Sequence, residues 1–345
     1  SSNRLQEGVI YILEEATNNG HCYLPCEELI EEAISLLEIK LTAQEMVNFR
    51  KEYNTDFKYN VGEYNYIVNY KEMTESLNNY NNAYGRNKNK YRYVVVNINH
   101  LEIKEELKLL KLQNRIIIER DNVYLEKYYH AENQVAHHVN RIINSEMSVL
   151  WDVETELDKY CKANFIELED KQIEAVIKFS KSIGGFHILN GSAGCGKTFT
   201  LKVILEMLDV MYKNINKTAN ILLLAPTGKA AKVATKATGM ECKTVHRGLK
   251  YNPNFGFEHN ETNPLEEDII IVDESSMLDI MLAKHLFSAV KDGAKVILLG
   301  DTKQLPSVGA GNVLADLINS NKVDIVTLNI VKRQGNQSGI IKNAN

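Results

Sequence analysis

The sequence predicts an α/β protein with one mostly parallel sheet, preceded by a mainly helical region. Three observations predict this. Five short, unbroken apolar runs lie between residues 186 and 329, helical segments separate most of them, and the first run leads into a glycine-rich loop that opens a helix. Runs that are apolar at every position suit parallel strands buried on both faces. Their alternation with helices implies right-handed β-α-β crossovers in one doubly wound sheet, with functional residues at the carboxyl ends of its strands.

The chain changes character near residue 165. Residues 1–150 read as a helical, winged-helix-like region. LQEGVIYILEEA (Leu5 to Ala16) and CEELIEEAISLLE (Cys26 to Glu38) each carry apolar residues at helical spacing. Leu101 to Ile143 reads as a helix, a two-stranded ribbon turning at Asp121-Asn122, and a second helix. An Asn- and Tyr-rich insert over about 54–98 shows no clear period until YRYVVVNI, a strand candidate. Its NNYNNAYGRNKNK piece reads as a mobile loop. Interleaved aromatic and basic residues there could stack on bases, but a polar surface insert is the preferred reading.

Residues 160–345 read as the α/β domain. Its strand candidates are FHILN (Phe186 to Asn190), ILLLAP (Ile221 to Pro226), DIIIVDE (Asp268 to Glu274), KVILLGD (Lys295 to Asp301) and DIVTLN (Asp324 to Asn329). After the first comes GSAGCGKT: Gly191, Ser192, Ala193, Gly194, Cys195, Gly196, Lys197 and Thr198, followed by Phe199 at the start of a helical run. This is a phosphate-binding loop in full, with strand and helix in place. Backbone N–H groups and the helix N-terminus cradle an anion, Lys197 reaches the β- and γ-phosphates, and Thr198 can hold Mg²⁺.

Bulk composition narrows the class. The 345 residues are 44% hydrophobic and 25% charged, with a net charge of −5, which excludes a wholly basic nucleic-acid binder. No stretch has the apolar length of a membrane span, and the N-terminus lacks a signal-peptide pattern. Five scattered cysteines point to reduced thiols and a cytoplasmic location rather than to a disulfide framework or zinc site.

Other strand ends complete a constellation. Asp273 and Glu274 place one carboxylate to hold Mg²⁺ and a second to orient the attacking water. Gln304, after Gly300-Asp301, can sense the γ-phosphate, and the loop from Ser307 through Gly309 to Asn312 can reach a neighbouring ligand. Pro226, Thr227, Gly228 and Lys229 start a helix that suits a polynucleotide phosphate, and Thr244 and His246 can add contacts. His246 fits a structural histidine as well, and Lys229, with Lys232 and Lys236, fits a solvated helix face. Gln172 can pair with the edges of adenine or be a surface amide. Arg333 can stabilise γ-phosphate charge or be a surface arginine.

The ordered motifs EDKQIEAV, GSAGCGKT, LLAPTGKAAK, KTVHRGL, NPLEEDIIIVDESSM, LLGDTKQLPSVGAGNVLADLI and VKRQ resemble the RecD/TraA family of superfamily 1 helicases. The resemblance implies a RecA-like P-loop NTPase domain that uses ATP and Mg²⁺ and moves 5′ to 3′ on single-stranded DNA. It implies that Gln172 reads adenine, Lys197 and Thr198 hold phosphates and Mg²⁺, Asp273 is the Mg²⁺ carboxylate and Glu274 the general base. Gln304 would couple nucleotide state to DNA, and Arg333 would be a γ-phosphate arginine. Thr227, Gly228, Thr244 and His246 would line the DNA path, and the segment 250–264 resembles a strand-separating hairpin. The family pairs this domain with a second RecA-like domain, expected downstream. Three readings stay open for the whole protein: a helicase, a helicase subunit of a multisubunit exonuclease or conjugative complex, and a non-motor ATP switch on DNA.

Overall fold

The computed structural model describes residues 2–37, 39–42, 57–61, 64–68, 92–96, 98–304 and 306–329. Most of the insert at 54–98, and Arg333, lie outside them. The chain divides into two compact units, Ser1–Ala16 with Tyr23–Glu126, and Thr17–Cys22 with Lys127–Asn345.

The first unit begins with α1 (Ser2–Asn18), β1 (Tyr23–Pro25) and α2 (Cys26–Leu37). Short strands β2 (Ile39–Thr42), β3 (Phe57–Val61), β4 (Tyr64–Val68) and β5 (Arg92–Val96) follow, with β2 paired to β5 and β3 to β4. Then come α3 (His100–Leu112), β6 (Ile116–Glu119) and β7 (Asn122–Leu125). The sheet order β1-β7-β6 on three helices is a winged-helix arrangement. Val9 and Leu13, Leu29 and Ile30, and Ile103 and Leu110 are its buried helix faces. A capping box starts α3: Asn99 Oδ1 accepts the Glu102 N–H, and the Asn99 N–H donates to the Glu102 carboxylate. The wing turn falls one residue before its expected place. Glu119 pairs with Asn122, so Arg120 and Asp121 form the two-residue loop, at φ 48° and 69°. Such a turn needs positive φ at both positions, and Arg120 gives no sequence sign of it.

The second unit opens with α4 (Glu126–Asn144), β8 (Met147–Ser148), α5 (Val153–Asn164), α6 (Asp170–Ser180) and β9 (Ser182–Ile183). Its sheet elements follow: β10 (Gly185–Gly191), α7 (Lys197–Asn214), β11 (Ile221–Ala225), α8 (Gly228–Thr238), β12 (Cys242–Thr244) and α9 (Val245–Gly248). A hairpin of β13 (Tyr251–Asn252) and β14 (Gly256–Phe257) precedes β15 (Ile269–Val272), α10 (Ile280–Ser288), β16 (Lys295–Gly300), α11 (Val313–Asn319) and β17 (Asp324–Leu328). Six parallel strands form one sheet in the order β12-β11-β15-β16-β10-β17. This is the RecA-like P-loop arrangement. All five expected strands are present, and β12 joins the edge as a sixth.

The pleat divides the core. Leu189, Ile271, Ile297, Leu299 and Val326 belong to a buried cluster with Ala175, Val176 and Phe179 of α6 and Leu201, Ile204 and Leu208 of α7. On the other face, the Phe186 ring meets Phe287 of α10 edge-on, with centroids 5.2 Å apart. Both faces are thus covered, which explains why the strands read as apolar at every position.

One charged side chain breaks that pattern. Lys295 opens β16 with no exposed surface, its Nζ 2.8 Å from His187 Nε2 and 3.4 Å from Ser182 Oγ. Burial pushes the ammonium down to about 7, opposed by the carboxylates of Glu146 and Asp324. The unfolded chain therefore holds a proton that the folded one lacks between about pH 7 and the ordinary lysine value of 10.5. The associated stability is complete above 10.5 and is lost as pH falls toward 7. The melting temperature of the wild type minus that of Lys295→Met is expected to rise with pH across this window; a flat difference would refute the assignment.

Candidate nucleotide and DNA site

Register brings the motif residues together. Ile188, Leu298 and Val272 are level across β10, β16 and β15, and Asn190 is level with Gly300. The phosphate loop after β10, Asp273-Glu274 after β15 and Asp301 after β16 therefore emerge at one edge of the sheet. The chain runs outward from β10 to β11 and β12, returns through β15 and β16, and then passes to β17 on β10's other side. The loop thus sits where the strand order reverses, the usual place for a ligand crevice.

The loop's conformation follows from its glycines. Gly194 and Gly196 have φ of 80° and 91°, a region costly for other residues. A Cβ on Gly196 would also lie 2.7 Å from Gln172 Nε2. Cys195 is buried, with its Sγ 2.6 Å from where a Cβ on Gly191 would be. Lys197 begins α7, and its ammonium donates to the carbonyls of Gly191 and Ser192. Thr198 is half-buried in the first turn, while Ala193 and Phe199 are exposed. The α7 N-terminus carries no side-chain cap, so its free amides and the aligned helix dipole favour an anion.

The carboxylates face that positive end. Burial raises the Asp273 carboxyl above its ordinary value, opposed by the Glu274 N–H bond at 2.9 Å and by the Lys197 charge. Glu274 is raised by burial first and by Asp273 second, again opposed by Lys197. Its φ of 52° is unusual for a residue with a side chain, and such conformations gather at functional sites. Ser275 Oγ donates to the Leu299 carbonyl at 2.8 Å, fixing the turn after Glu274 to β16. Thr198 and Asp273 supply the hard oxygen donors that suit Mg²⁺.

Gln172 is placed differently from a free surface amide. It is 4% exposed, and its Oε1 accepts the Glu169 N–H at 3.0 Å in a capping box at the start of α6. Its Nε2 lies against Gly196. The amide thus joins the α6 cap to the phosphate loop, and presenting both edges to a base requires release of the cap.

The expected DNA residues head the next strands. Ala225 and Thr244 are level on β11 and β12. Half-buried Pro226 follows β11, then Thr227 caps α8, whose first residues Gly228 and Lys229 are exposed. Thr227 Oγ1 accepts the Ala230 N–H and Thr244 Oγ1 the Arg247 N–H, both at 3.2 Å. Each hydroxyl still has its proton to donate to a phosphate. His246 is exposed and packs against the hairpin rings, edge-on to Tyr251 with centroids 5.4 Å apart and tilted on Phe257 at 5.6 Å.

In the loop after β16, exposed Gln304 closes a turn by donating its N–H to the Asp301 carbonyl at 3.0 Å. Ser307 is buried and spends its hydroxyl on the Gly309 and Gly311 carbonyls, shaping the loop from inside. Exposed Asn312 precedes α11 without a side-chain cap. Sequence reasoning missed Asn190, whose Oδ1 accepts the Thr302 N–H at 3.3 Å and whose Nδ2 donates to Thr327 at 3.4 Å. Its only sign was a polar residue ending an apolar run. It also missed Val308 and Phe255, which are 87% and 88% exposed on the two loops.

Comparison with known proteins adds a family to this geometry. The AAA domain family profile matches residues 167–344. The chain is 40% identical over 157 residues to the ATP-dependent RecD2 DNA helicase of Deinococcus radiodurans, covering 46% of this chain and 21% of that protein. It is 32% identical over 217 residues to the RecBCD enzyme subunit RecD of Mycolicibacterium smegmatis, covering 57% of this chain and 38% of that one. Among solved structures, the Pif1 helicase from Candida albicans matches at 23% identity and a TM-score of 0.36, over 51% of this chain and 43% of that chain. The chain spans less than two fifths of the length of these two curated relatives. No described helix is long and apolar enough to cross a membrane. The chain belongs to the AAA domain family, and its α/β unit is similar in sequence to RecD and RecD2 proteins.

Proposed function

We propose that this chain carries the first motor domain of an ATP-dependent DNA helicase that moves 5′ to 3′ on single-stranded DNA. The observation that carries this reading is the shared sheet edge. Lys197 and the Asp273-Glu274 pair meet at β10 and β15, while Thr227 and Thr244 head the next two strands along the same edge.

The α7 amides and Lys197 hold the β- and γ-phosphates. Thr198 and Asp273 would hold Mg²⁺, which would offset the charge developing on the phosphates. Glu274 takes the proton of the attacking water; its raised proton affinity brings it closer to the working pH, as a general base requires. The Asp301–Gln304 turn is tied to β10 through Asn190, so it can report the state of the phosphates to the loop at 307–312. Thr227, Lys229 and Thr244 take backbone phosphates of one strand, which gives contact without sequence preference. The hairpin at 250–264 divides the duplex ahead of that strand. Arg333 and a second RecA-like domain complete the γ-phosphate side.

Strand displacement by the full-length protein tests the polarity. A duplex with a 5′ single-stranded tail is expected to be separated in the presence of ATP and Mg²⁺, and one with only a 3′ tail left intact. The reverse preference would refute the assigned direction.

A further inference from the structure

The hairpin of β13 and β14 has strands of two residues each, pairing Tyr251 with Phe257 and Asn252 with Gly256. A two-stranded ribbon this short does not hold itself in water. Its tip is locally well formed: the Asn254 N–H donates to Asn252 Oδ1 at 2.9 Å, and Gly256 has φ +77°. Its base is closed by the Lys250–Glu258 ion pair at 2.7 Å. None of these contacts fixes the hairpin's direction relative to the sheet. The ring contacts do. Phe257 lies between Tyr251, at 4.8 Å, and His285 of α10, at 4.5 Å with planes tilted by 33°. His246 adds contacts to both hairpin rings. Phe255, at the tip, stays exposed.

The helix that supplies His285 starts beside the hydrolytic carboxylates. From Asp273-Glu274 the chain makes one 3-10 turn (Ser275–Met277) and reaches Asp279, whose Oδ1 caps α10 by accepting the Leu282 N–H at 2.8 Å. The Ile280 N–H donates to the Ala310 carbonyl at 2.9 Å, and a Cβ on Gly309 would meet Asp279 Oδ2 at 2.8 Å. One short helix therefore contacts the 309–311 loop at its start and the hairpin rings near its end.

We propose that His285 is a positioning residue: its imidazole, stacked on Phe257, seats the strand-separating hairpin on α10, so that a shift at Asp273–Asp279 reaches the hairpin through a rigid helix. This rests on the helicase reading for the hairpin's task, and the seating itself can be tested apart from it.

The test uses the full-length protein with His285→Ala and His285→Phe. In His285→Ala, duplex separation is expected to fall roughly fivefold to tenfold, the scale of one or two ring contacts, while single-strand-stimulated ATP hydrolysis stays within about twofold. His285→Phe restores the stack and is expected to recover separation. A fall in both activities together, no change in either, or no rescue by phenylalanine overturns the proposal. Hydrogen exchange at the Phe257 and Glu258 amides is the second readout, expected to quicken in His285→Ala and not in His285→Phe. If the wild type separates no duplex, the helicase reading fails, and the exchange result still decides the seating: unchanged rates in His285→Ala overturn it.

Discussion

Lys197→Ala is expected to lower ATP turnover by about two to three orders of magnitude, the usual loss when one preorganised charge at a developing anion is removed. The ammonium lies among the Gly191 and Ser192 carbonyls and bears electrostatically on both Asp273 and Glu274. Its removal weakens phosphate binding and takes away the charge that lowers the proton affinity of both carboxylates. Nucleotide affinity, measured by titration with a fluorescent ATP analogue, is expected to fall together with turnover. The fold is expected to survive, because Lys197 is partly exposed at a helix start. Unchanged ATP affinity in a folded variant would show that the loop does not hold the phosphates.

Glu274→Gln is expected to separate binding from chemistry. Loss of a general base costs about 10²–10⁴ in rate, while a glutamine of the same shape leaves the phosphate contacts in place. Turnover is therefore expected to collapse with nucleotide affinity retained. Stability supplies an independent sign. Burial and Asp273 raise the Glu274 carboxyl, so its ionised form is disfavoured in the fold at neutral pH. Glutamine removes that penalty, and the melting temperature at neutral pH is expected to stay the same or rise. A variant that hydrolyses ATP at the wild-type rate would remove Glu274 from the mechanism. One that melts earlier would contradict the electrostatic account of its setting.

What could be read beforehand was what local pattern encodes. Phe186–Asn190, Ile221–Pro226 and the other buried runs show their strands directly, because a strand covered on both faces has no polar alternation to confuse with a helix. Gly191–Thr198 shows its loop, because its glycines meet a backbone requirement fixed by neighbours in sequence. Features that depend on distant partners were not legible. Cys242–Thr244 is a strand only because Leu223–Ala225 lies beside it. The wing turn at Arg120–Asp121 is set by pairing register rather than by favoured turn residues. Lys295 opens a strand and reads as an ordinary charged end; its burial comes from His187, Ser182 and the layers around them. For Gln172 the sequence offered an adenine reader or a surface amide. The capping box with Glu169 puts its Oε1 in a third setting, since glutamate is an uncommon residue at the cap of such a box.

The central claim is that the phosphate loop and Asp273-Glu274 form a hydrolytic site coupled to DNA held at the neighbouring strand ends. The most direct test is Mg²⁺-dependent ATP hydrolysis by the full-length protein, with and without single-stranded DNA. The account predicts turnover that rises at least about tenfold with the DNA and disappears in Glu274→Gln in both conditions. Tight ATP binding with turnover indifferent to DNA would contradict it.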